Sequence, residues 1–168
     1  MEKVCKPIII IASPRVGSNL LMHSLSEHPQ AVCGGEWYCK DEISCHPDHW
    51  KNKLTQHCNL IKLCMDDPVP FDGLLVGLKR DDIGAQLRSW KKACDTGTWM
   101  KYQIGEPSKY PSDAVEKIVR TNKRIAEECD LVFSYETLVD QWDYVIEQIL
   151  KSANWAICKI EKATEKQT

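Results

Sequence analysis

Residues 7–21 read PIIIIASPRVGSNLL, and this stretch decides the fold. Its first part, Ile8–Ala12, is a continuous apolar run of the kind found in strands that are buried on both faces. The segment 13–18 then breaks the strand, because it contains a proline, a glycine and two serines. Residues 19–27 follow as a predicted helix with two leucines one turn apart. A strand, a tight loop and a helix in this order predict the first unit of a parallel α/β sheet.

Strand and helix patterns alternate along the rest of the chain. Three apolar runs predict further strands, at residues 59–64, 74–78 and 131–135. Three apolar stripes predict helices, and the first of these helices begins at Asp81 or Asp82. The second helix is capped by Ser112, and its stripe consists of Val115, Ile118, Val119, Ile125, Ala126 and Cys129. The stripe of the third helix consists of Val139, Trp142, Val145, Ile149 and Ala153. Residues 33–58 are predicted to be irregular. The pattern predicts one three-layer α/β domain over residues 1–158, with a central parallel sheet of four to five strands, and a polar, frayed tail over residues 159–168.

Composition and charge exclude several classes of function. The chain has 168 residues, and 22 Lys+Arg against 24 Asp+Glu give a net charge of −2. This balance predicts no general attraction to nucleic acid or to an anionic membrane. Nine cysteines is an odd count, so at least one thiol stays unpaired within the chain. The apolar run near residue 8 is too short for a membrane span and carries no secretory signal, which predicts a reducing, cytoplasmic setting.

The loop after the first strand has the composition of an anion cradle. In parallel sheets ligands bind beyond the carboxyl ends of the strands, and this loop occupies such an end. Arg15 supplies a permanent cation, Gly17 allows close backbone approach, and Ser18 and Asn19 supply short polar side chains. The nucleotide-binding pattern G-x-x-x-x-G-K-[ST] is absent from the sequence. From composition alone, an ordinary strand–helix turn with a surface arginine is an equally good interpretation.

Three motifs occur in order along the chain. Residues 14–21 read PRVGSNLL and are followed by His28-Pro29 and Gly35-Glu36; residues 79–90 read KRDDIGAQLRSW; and residues 135–139 read YETLV. They resemble the 5′-phosphosulfate loop, the second signature and the segment after the last sheet strand of sulfotransferases that use 3′-phosphoadenosine 5′-phosphosulfate (PAPS). The stretch with Ala93, Thr96-Gly97 and Trp99 is most similar to the bacterial trehalose sulfotransferase branch.

The resemblance implies a P-loop-like fold and transfer of a sulfuryl group from PAPS to the hydroxyl of a sugar, glycolipid or other small metabolite. The product would be adenosine 3′,5′-bisphosphate, and no metal is expected. Arg15 would stabilise the departing phosphate, and Arg80 and Ser89 would hold the 3′-phosphate. The full set of cofactor-binding residues that the resemblance implies is Pro14, Arg15, Val16, Gly17, Ser18, Asn19, Arg80 and Ser89.

The acceptor hydroxyl needs a general base, and Glu36 is the candidate that the resemblance implies. A histidine is the rival, and His46 and His49 are the best placed of the five. Trp37 or Trp99 could stack on the adenine or on a sugar face.

Two further questions stay open in the sequence. The cysteines and histidines between residues 39 and 64 have the chemistry of zinc ligands, but no C-x-x-C pair is present, and buried free thiols are the simpler interpretation. Beside the enzyme stand two alternatives: a catalytically weakened nucleotide-binding module of the same fold that acts through a partner, and a transferase that uses another nucleoside phosphate. A second subunit could complete the site as a homodimer.

Overall fold

The computed structural model describes residues 3–37, 58–100 and 103–163, apart from the side chains of residues 99, 100, 103 and 104. Strands and helices follow one another in the order β1 (Ile8–Ala12), α1 (Ser18–Leu25), β2 (Cys33–Glu36), β3 (Leu60–Cys64), β4 (Leu74–Lys79), α2 (Ile83–Thr96), β5 (Thr98–Met100), β6 (Gln103–Ile104), α3 (Ala114–Glu128), β7 (Leu131–Ser134), α4 (Tyr135–Asp140) and α5 (Trp142–Ala153).

Five of the strands form one parallel sheet in the order β2-β3-β1-β4-β7. All five carboxyl ends therefore lie along one edge, with β1 in the middle. After β1 the chain runs to β2 on one side, and after β3 it crosses to β4 on the other side. The carboxyl end of β1 is thus a switch point, where α/β sheets bind their ligands. The predicted three-layer α/β domain with a parallel sheet is confirmed.

The four isoleucines of β1 are 0% exposed and supply both layers of the core. Ile8 and Ile10 pack with α1 and α5 on one face, and Ile9 and Ile11 pack on the other face with Ile125 of α3. Burying each of these side chains contributes about 1.5–3 kcal/mol, which explains why this run predicted the centre of the sheet so well.

Residues 33–36 form strand β2, so the prediction that residues 33–58 are irregular is wrong at its start. Gly34 and Gly35 hide the strand in the sequence, because glycine has a low preference for strands. In the fold, a side chain at Gly34 would meet the Ile61 Cγ2 atom at 2.9 Å, and Gly35 has φ 63° at an irregularity in the β2–β3 pairing. Residues 38–57 of the predicted irregular segment lie outside the described part of the chain.

Helix α3 faces the core with part of the predicted stripe, since Ile118 and Ile125 are buried and Cys129 is partly buried. Val115 and Val119 are 50% and 56% exposed, and Ala126 is exposed, whereas Ala114, Ile118, Thr121 and Ile125 are buried. The residue before the helix is Asp113, so the predicted cap at Ser112 is also wrong. The buried face of α3 packs on β4 at Gly77 through Ile125, and on the Trp90 cluster through Ala114 and Ile118.

The end of the chain also differs from the prediction. Val139 belongs to the separate short helix α4 and is 38% exposed. Ile160 and Ala163 are buried, and the Ile160 carbonyl accepts a 2.7 Å hydrogen bond from Trp142 Nε1. The expectation of a frayed tail from residue 159 is therefore wrong up to residue 163, because apolar side chains within that polar stretch pack on α1 and α5.

Gly77, in the middle of β4, gives a stability prediction. A Cβ atom there would lie 2.3 Å from Ile125 Cγ2 and 3.0 Å from the Cys129 sulfur. We expect Gly77→Ala to lower the free energy of unfolding by about 1–3 kcal/mol, because α3 must move away from the sheet. Gly84→Ala is the matched control: its Cβ would meet the flexible end of Arg88 at 3.2 Å and would lie in ordinary contact with Asp82 Oδ1 at 3.5 Å, so it should be neutral or stabilising. Urea unfolding followed by tryptophan fluorescence measures both variants, and equal effects would contradict the prediction.

Candidate functional site: a cationic loop at the sheet edge

The loop between β1 and α1 is held in a conformation that turns backbone groups toward a ligand. Arg15 and Gly17 both lie in the left-handed region, with φ 69° and 85°. Turns of this kind bring successive backbone N–H groups into one concavity that binds anions. Gly17 also lies against Tyr135 and Leu138, where a Cβ atom would come within 3.0 Å of both side chains. Val16 is 0% exposed, so its side chain anchors the loop in the core and only its backbone can meet a ligand.

Two successive carbonyl groups of the loop are bound from outside. The Pro14 carbonyl accepts a 2.8 Å hydrogen bond from Gln86 Nε2, and the Arg15 carbonyl accepts one of 3.4 Å from Arg80 Nη1. A trans peptide group is planar, with its N–H directed opposite to its C=O. The N–H groups of Arg15 and Val16 are therefore directed away from these two donors, as an anion cradle requires.

Helix α1 begins directly after the loop and adds its positive end. Its N-cap is Gly17, which offers no side-chain hydrogen bond, and its first turn carries no acidic residue. The first N–H groups of a helix have no partner within the helix, and they favour an anion. Ser18 opens the helix and is buried, with 6% of its surface exposed.

Two arginines meet at this loop. Arg15 Nε donates to the Ser89 hydroxyl of α2 at 2.9 Å, and the Arg80 guanidinium lies over the Tyr135 ring, 4.4 Å from its centre. Burial lowers the pKa of Arg15, and the nearby positive charge of Arg80 lowers it further. Arg80 Nε is buried and has no hydrogen-bond partner among the described residues. Two neighbouring cations, one with an unsatisfied buried donor, form a site that an anion would complete.

The turn that carries Arg80 is held by Glu136. The Glu136 carboxylate accepts hydrogen bonds from the backbone N–H groups of Asp81 and Asp82, at 3.1 and 3.4 Å. Partial burial alone would raise the pKa of Glu136, but the hydrogen bonds from backbone N–H groups and the charge of Arg80 together lower it. Asp82 itself caps α2 through a 2.9 Å hydrogen bond from the Ala85 N–H, as one of the two predicted caps.

This lowered pKa gives a pH prediction with a defined sign. The folded-state pKa lies below the unfolded one, so the stabilisation is present above the unfolded value and is lost as the pH falls through the folded one. We expect Glu136→Gln to lose part of the stability at pH 7 and to approach the wild type as the pH falls through the lowered folded-state pKa, because the wild-type carboxylate is then protonated. Urea midpoints measured from pH 3 to pH 7 test this. A wild-type–variant difference that is constant over this range would contradict it.

Glu36 is joined to the loop through a buried lysine. Lys62 of β3 is 5% exposed, forms an ion pair with Glu36, and donates a 2.6 Å hydrogen bond to the Asn19 side-chain oxygen. The Glu36 side chain keeps 20% of its surface exposed. One ammonium group thus links the predicted base with the start of α1. The Asn19 oxygen is engaged by Lys62, so its amide N–H groups are what it can offer to a ligand.

The predicted site residues lie in a row along the edge of the sheet. Glu36 ends β2, the cationic loop follows β1, and Arg80 follows β4. At about 4.8 Å per strand, β2 lies about 10 Å from β1. Ser89 joins the loop from α2 through its bond with Arg15. The structure therefore brings Arg15, Arg80 and Ser89 together and places Glu36 to one side.

Other predicted candidates lie elsewhere. Trp37 packs edge-on against Phe71, with ring centres 5.6 Å apart, and Trp90 is a buried core residue, as its helical stripe predicted. His28 is buried, and its ring contacts Trp155 and the Ala156 carbonyl. His46, His49, His57, Cys39, Cys45 and the side chain of Trp99 lie outside the described part of the chain.

Sequence reasoning missed two functional candidates. Lys62 interrupts the apolar run LIKLC of β3, and a lysine in a strand with apolar neighbours was a usable signal. Gln86 lies three residues before Ser89, on the same face of α2. Its burial could not be predicted, because the opposite, apolar face of the helix dominates the pattern.

The described residues hold neither a group of metal ligands nor a membrane-spanning helix. Within residues 3–37, 58–100 and 103–163, no group of three His, Cys, Asp or Glu side chains is arranged to hold a metal ion. No helix in the same ranges is long and apolar enough to cross a membrane. Cys5, Cys94, Cys129 and Cys158 are free thiols, and burial raises the pKa of Cys129 to about 11.

No family model matches the chain, and no curated protein matches it significantly. The geometry of the loop and its neighbours is therefore the evidence for a function.

Proposed function

We propose that the protein is a sulfotransferase that moves a sulfuryl group from PAPS to the hydroxyl of a small acceptor. The observation that carries the proposal is the meeting of Arg15 and Arg80 at the uncapped start of α1. Two neighbouring guanidinium groups beside a helix N-terminus favour a ligand with two anionic groups. PAPS has two such groups on one ribose, the 5′-phosphosulfate and the 3′-phosphate.

The two phosphate groups are assigned to adjoining parts of the site. The backbone N–H groups of the loop and the Arg15 guanidinium would hold the 5′-phosphate, and Arg80 and Ser89 would hold the 3′-phosphate. The hydrogen bonds from Arg15 to Ser89 and from Arg80 to the Arg15 carbonyl support this assignment, because they join the two sets of residues. The buried Arg80 Nε, which lacks a partner among the described residues, offers a donor for the second anion.

The chain's own residues supply what the transfer requires. The acceptor oxygen forms a bond to sulfur as the bond from sulfur to the phosphate oxygen breaks, with attacking and departing oxygens in line. Glu36 would take the proton from the acceptor hydroxyl. Arg15 and the loop N–H groups would stabilise the negative charge that grows on the departing phosphate oxygen. The Glu36 carboxylate forms an ion pair with Lys62, which also binds the Asn19 side chain, so the base would stand close to the start of α1, where the nucleotide would bind.

The test is calorimetric titration of the purified, reduced protein with adenosine 3′,5′-bisphosphate, using ATP and adenosine 5′-monophosphate as controls. The proposal expects the bisphosphate to bind at least tenfold more tightly than either control, since only it offers both anions with the right spacing. Hydrolysis or transfer from PAPS in the presence of candidate hydroxyl acceptors then tests turnover. Binding without turnover would favour the nucleotide-binding module, and preference for ATP would favour another transferase.

A further inference from the structure

Gln86 is a fully buried amide in α2 that takes no part in the proposed chemistry. Its side chain is 0% exposed, and its Nε2 atom lies 2.8 Å from both the Ser13 hydroxyl and the Pro14 carbonyl. Its Oε1 atom has no partner among the described residues. Burying an amide with an unsatisfied oxygen costs free energy, so the favourable contribution of Gln86 comes from the hydrogen bonds that its Nε2 group donates.

The donor group fixes one peptide of the loop. The Pro14 carbonyl belongs to the Pro14–Arg15 peptide group, whose N–H is that of Arg15. Gln86 holds this carbonyl toward α2, and the planar geometry of the peptide then directs the Arg15 N–H away from α2.

The backbone conformation of Arg15 explains why this hydrogen bond is needed. Arg15 has φ 69°, a conformation that is unfavourable for a residue with a side chain and persists only where the surroundings enforce it. Gln86 binds the peptide before Arg15, Arg80 binds the carbonyl after it, and Ser89 binds its side chain. Two of these three hydrogen bonds, those of Gln86 and Ser89, come from one face of α2.

We propose that Gln86 is a positioning residue that orients the Pro14–Arg15 peptide of the loop for anion binding; this inference rests on the proposed function. Gln86 touches no ligand in this assignment. It acts through the loop, so its loss should disorder the Arg15 amide and weaken binding without removing any phosphate contact directly.

The experiment compares Gln86→Met, which keeps size but loses the donor, with the wild type. In the ligand-free protein, the NMR order parameter of the Arg15 amide should fall from about 0.85 to below about 0.6. Affinity for adenosine 3′,5′-bisphosphate should fall about tenfold. Thr121→Val is the matched control: Thr121 is 1% exposed, and its hydroxyl donates to Lys117 within α3, remote from the loop. It should lower stability and leave both readouts unchanged.

The outcomes separate this inference from the proposed function. An equally ordered Arg15 amide in Gln86→Met overturns the inference, and so does an equal loss of order in Thr121→Val. Failure of the wild type to bind the bisphosphate overturns the proposed function, while the order-parameter test still stands, because it needs no ligand. If Gln86→Met does not fold, Gln86→Asn decides, because it keeps the amide but shortens the side chain and withdraws its donor from the Pro14 carbonyl: a less ordered Arg15 amide supports the inference, and an unchanged order parameter overturns it.

Discussion

Replacing Arg80 with alanine should weaken binding of adenosine 3′,5′-bisphosphate about 100-fold. A charge-assisted hydrogen bond contributes about 1.5–3 kcal/mol, and Arg80 would make such a bond to the 3′-phosphate. The substitution also removes the donor to the Arg15 carbonyl and so loosens the loop. Calorimetry at constant salt concentration measures the change, since phosphate contacts weaken as salt screens them.

Two controls isolate the contribution of the guanidinium group. Arg80→Lys keeps the charge but loses the planar group that lies over Tyr135, so it should recover part of the affinity, not all of it. Lys151→Ala removes the same charge from an exposed position near the end of α5 and should change affinity less than twofold. If Arg80→Ala binds as tightly as Lys151→Ala, the assignment of the 3′-phosphate to Arg80 is wrong.

Arg15→Ala should give a different pattern. Arg15 faces the departing phosphate in the proposed reaction, so its interaction strengthens as charge develops there, and its loss should reduce turnover more than binding. Equal losses of binding and turnover in both arginine variants would show that the two roles are not divided in this way.

The centre of the fold could be predicted from the sequence because its signals are local. The apolar run of β1 and the proline and glycine of the loop fix a strand, a turn and a helix within 18 residues, from Ile8 to Leu25. Strand β2 escaped prediction because its glycines carry no strand signal of their own, and the strand exists through its pairing with β3. The exposure of Val115 and Val119 escaped for a similar reason, since the buried face of α3 is set by contacts with other elements, such as that of Ile125 with Gly77.

The residues of the candidate site also differ in how far they could be predicted from local sequence. Arg15 could be proposed from the pattern itself, because it lies near the carboxyl end of a strand, where parallel sheets bind ligands, whereas Arg80 was implied by the resemblance of residues 79–90. Gln86 could not, because its role comes from a contact with Pro14, 72 positions away in the sequence. Lys62 carries a signal, as a lysine within the apolar run LIKLC, but its contact with Asn19, 43 positions away, could not be predicted.

Glu36→Gln should lower turnover from PAPS by at least about 100-fold while changing the affinity for adenosine 3′,5′-bisphosphate less than threefold. Loss of a general base costs about 10²–10⁴ in rate, and Glu36 lies two strands away from the loop that would hold the nucleotide. Glu36 also forms an ion pair with Lys62, so the variant removes the carboxylate from beside a buried ammonium group. Breaking such a pair costs up to about 3–5 kcal/mol, so unfolding must be measured beside activity.

A matched set of variants separates the loss of a base from the loss of stability. Glu147→Gln makes the same chemical change at an exposed position of α5 and should leave turnover and stability unchanged. Lys62→Met breaks the same ion pair but keeps the carboxylate, so it should lower stability as Glu36→Gln does and retain more of the turnover. If Glu36→Gln keeps turnover within threefold of the wild type, Glu36 is not the base, and His46 and His49 become the candidates. If both variants lose turnover equally, the ion pair acts as a unit, and Glu36 serves the loop through Lys62 and Asn19 rather than the acceptor.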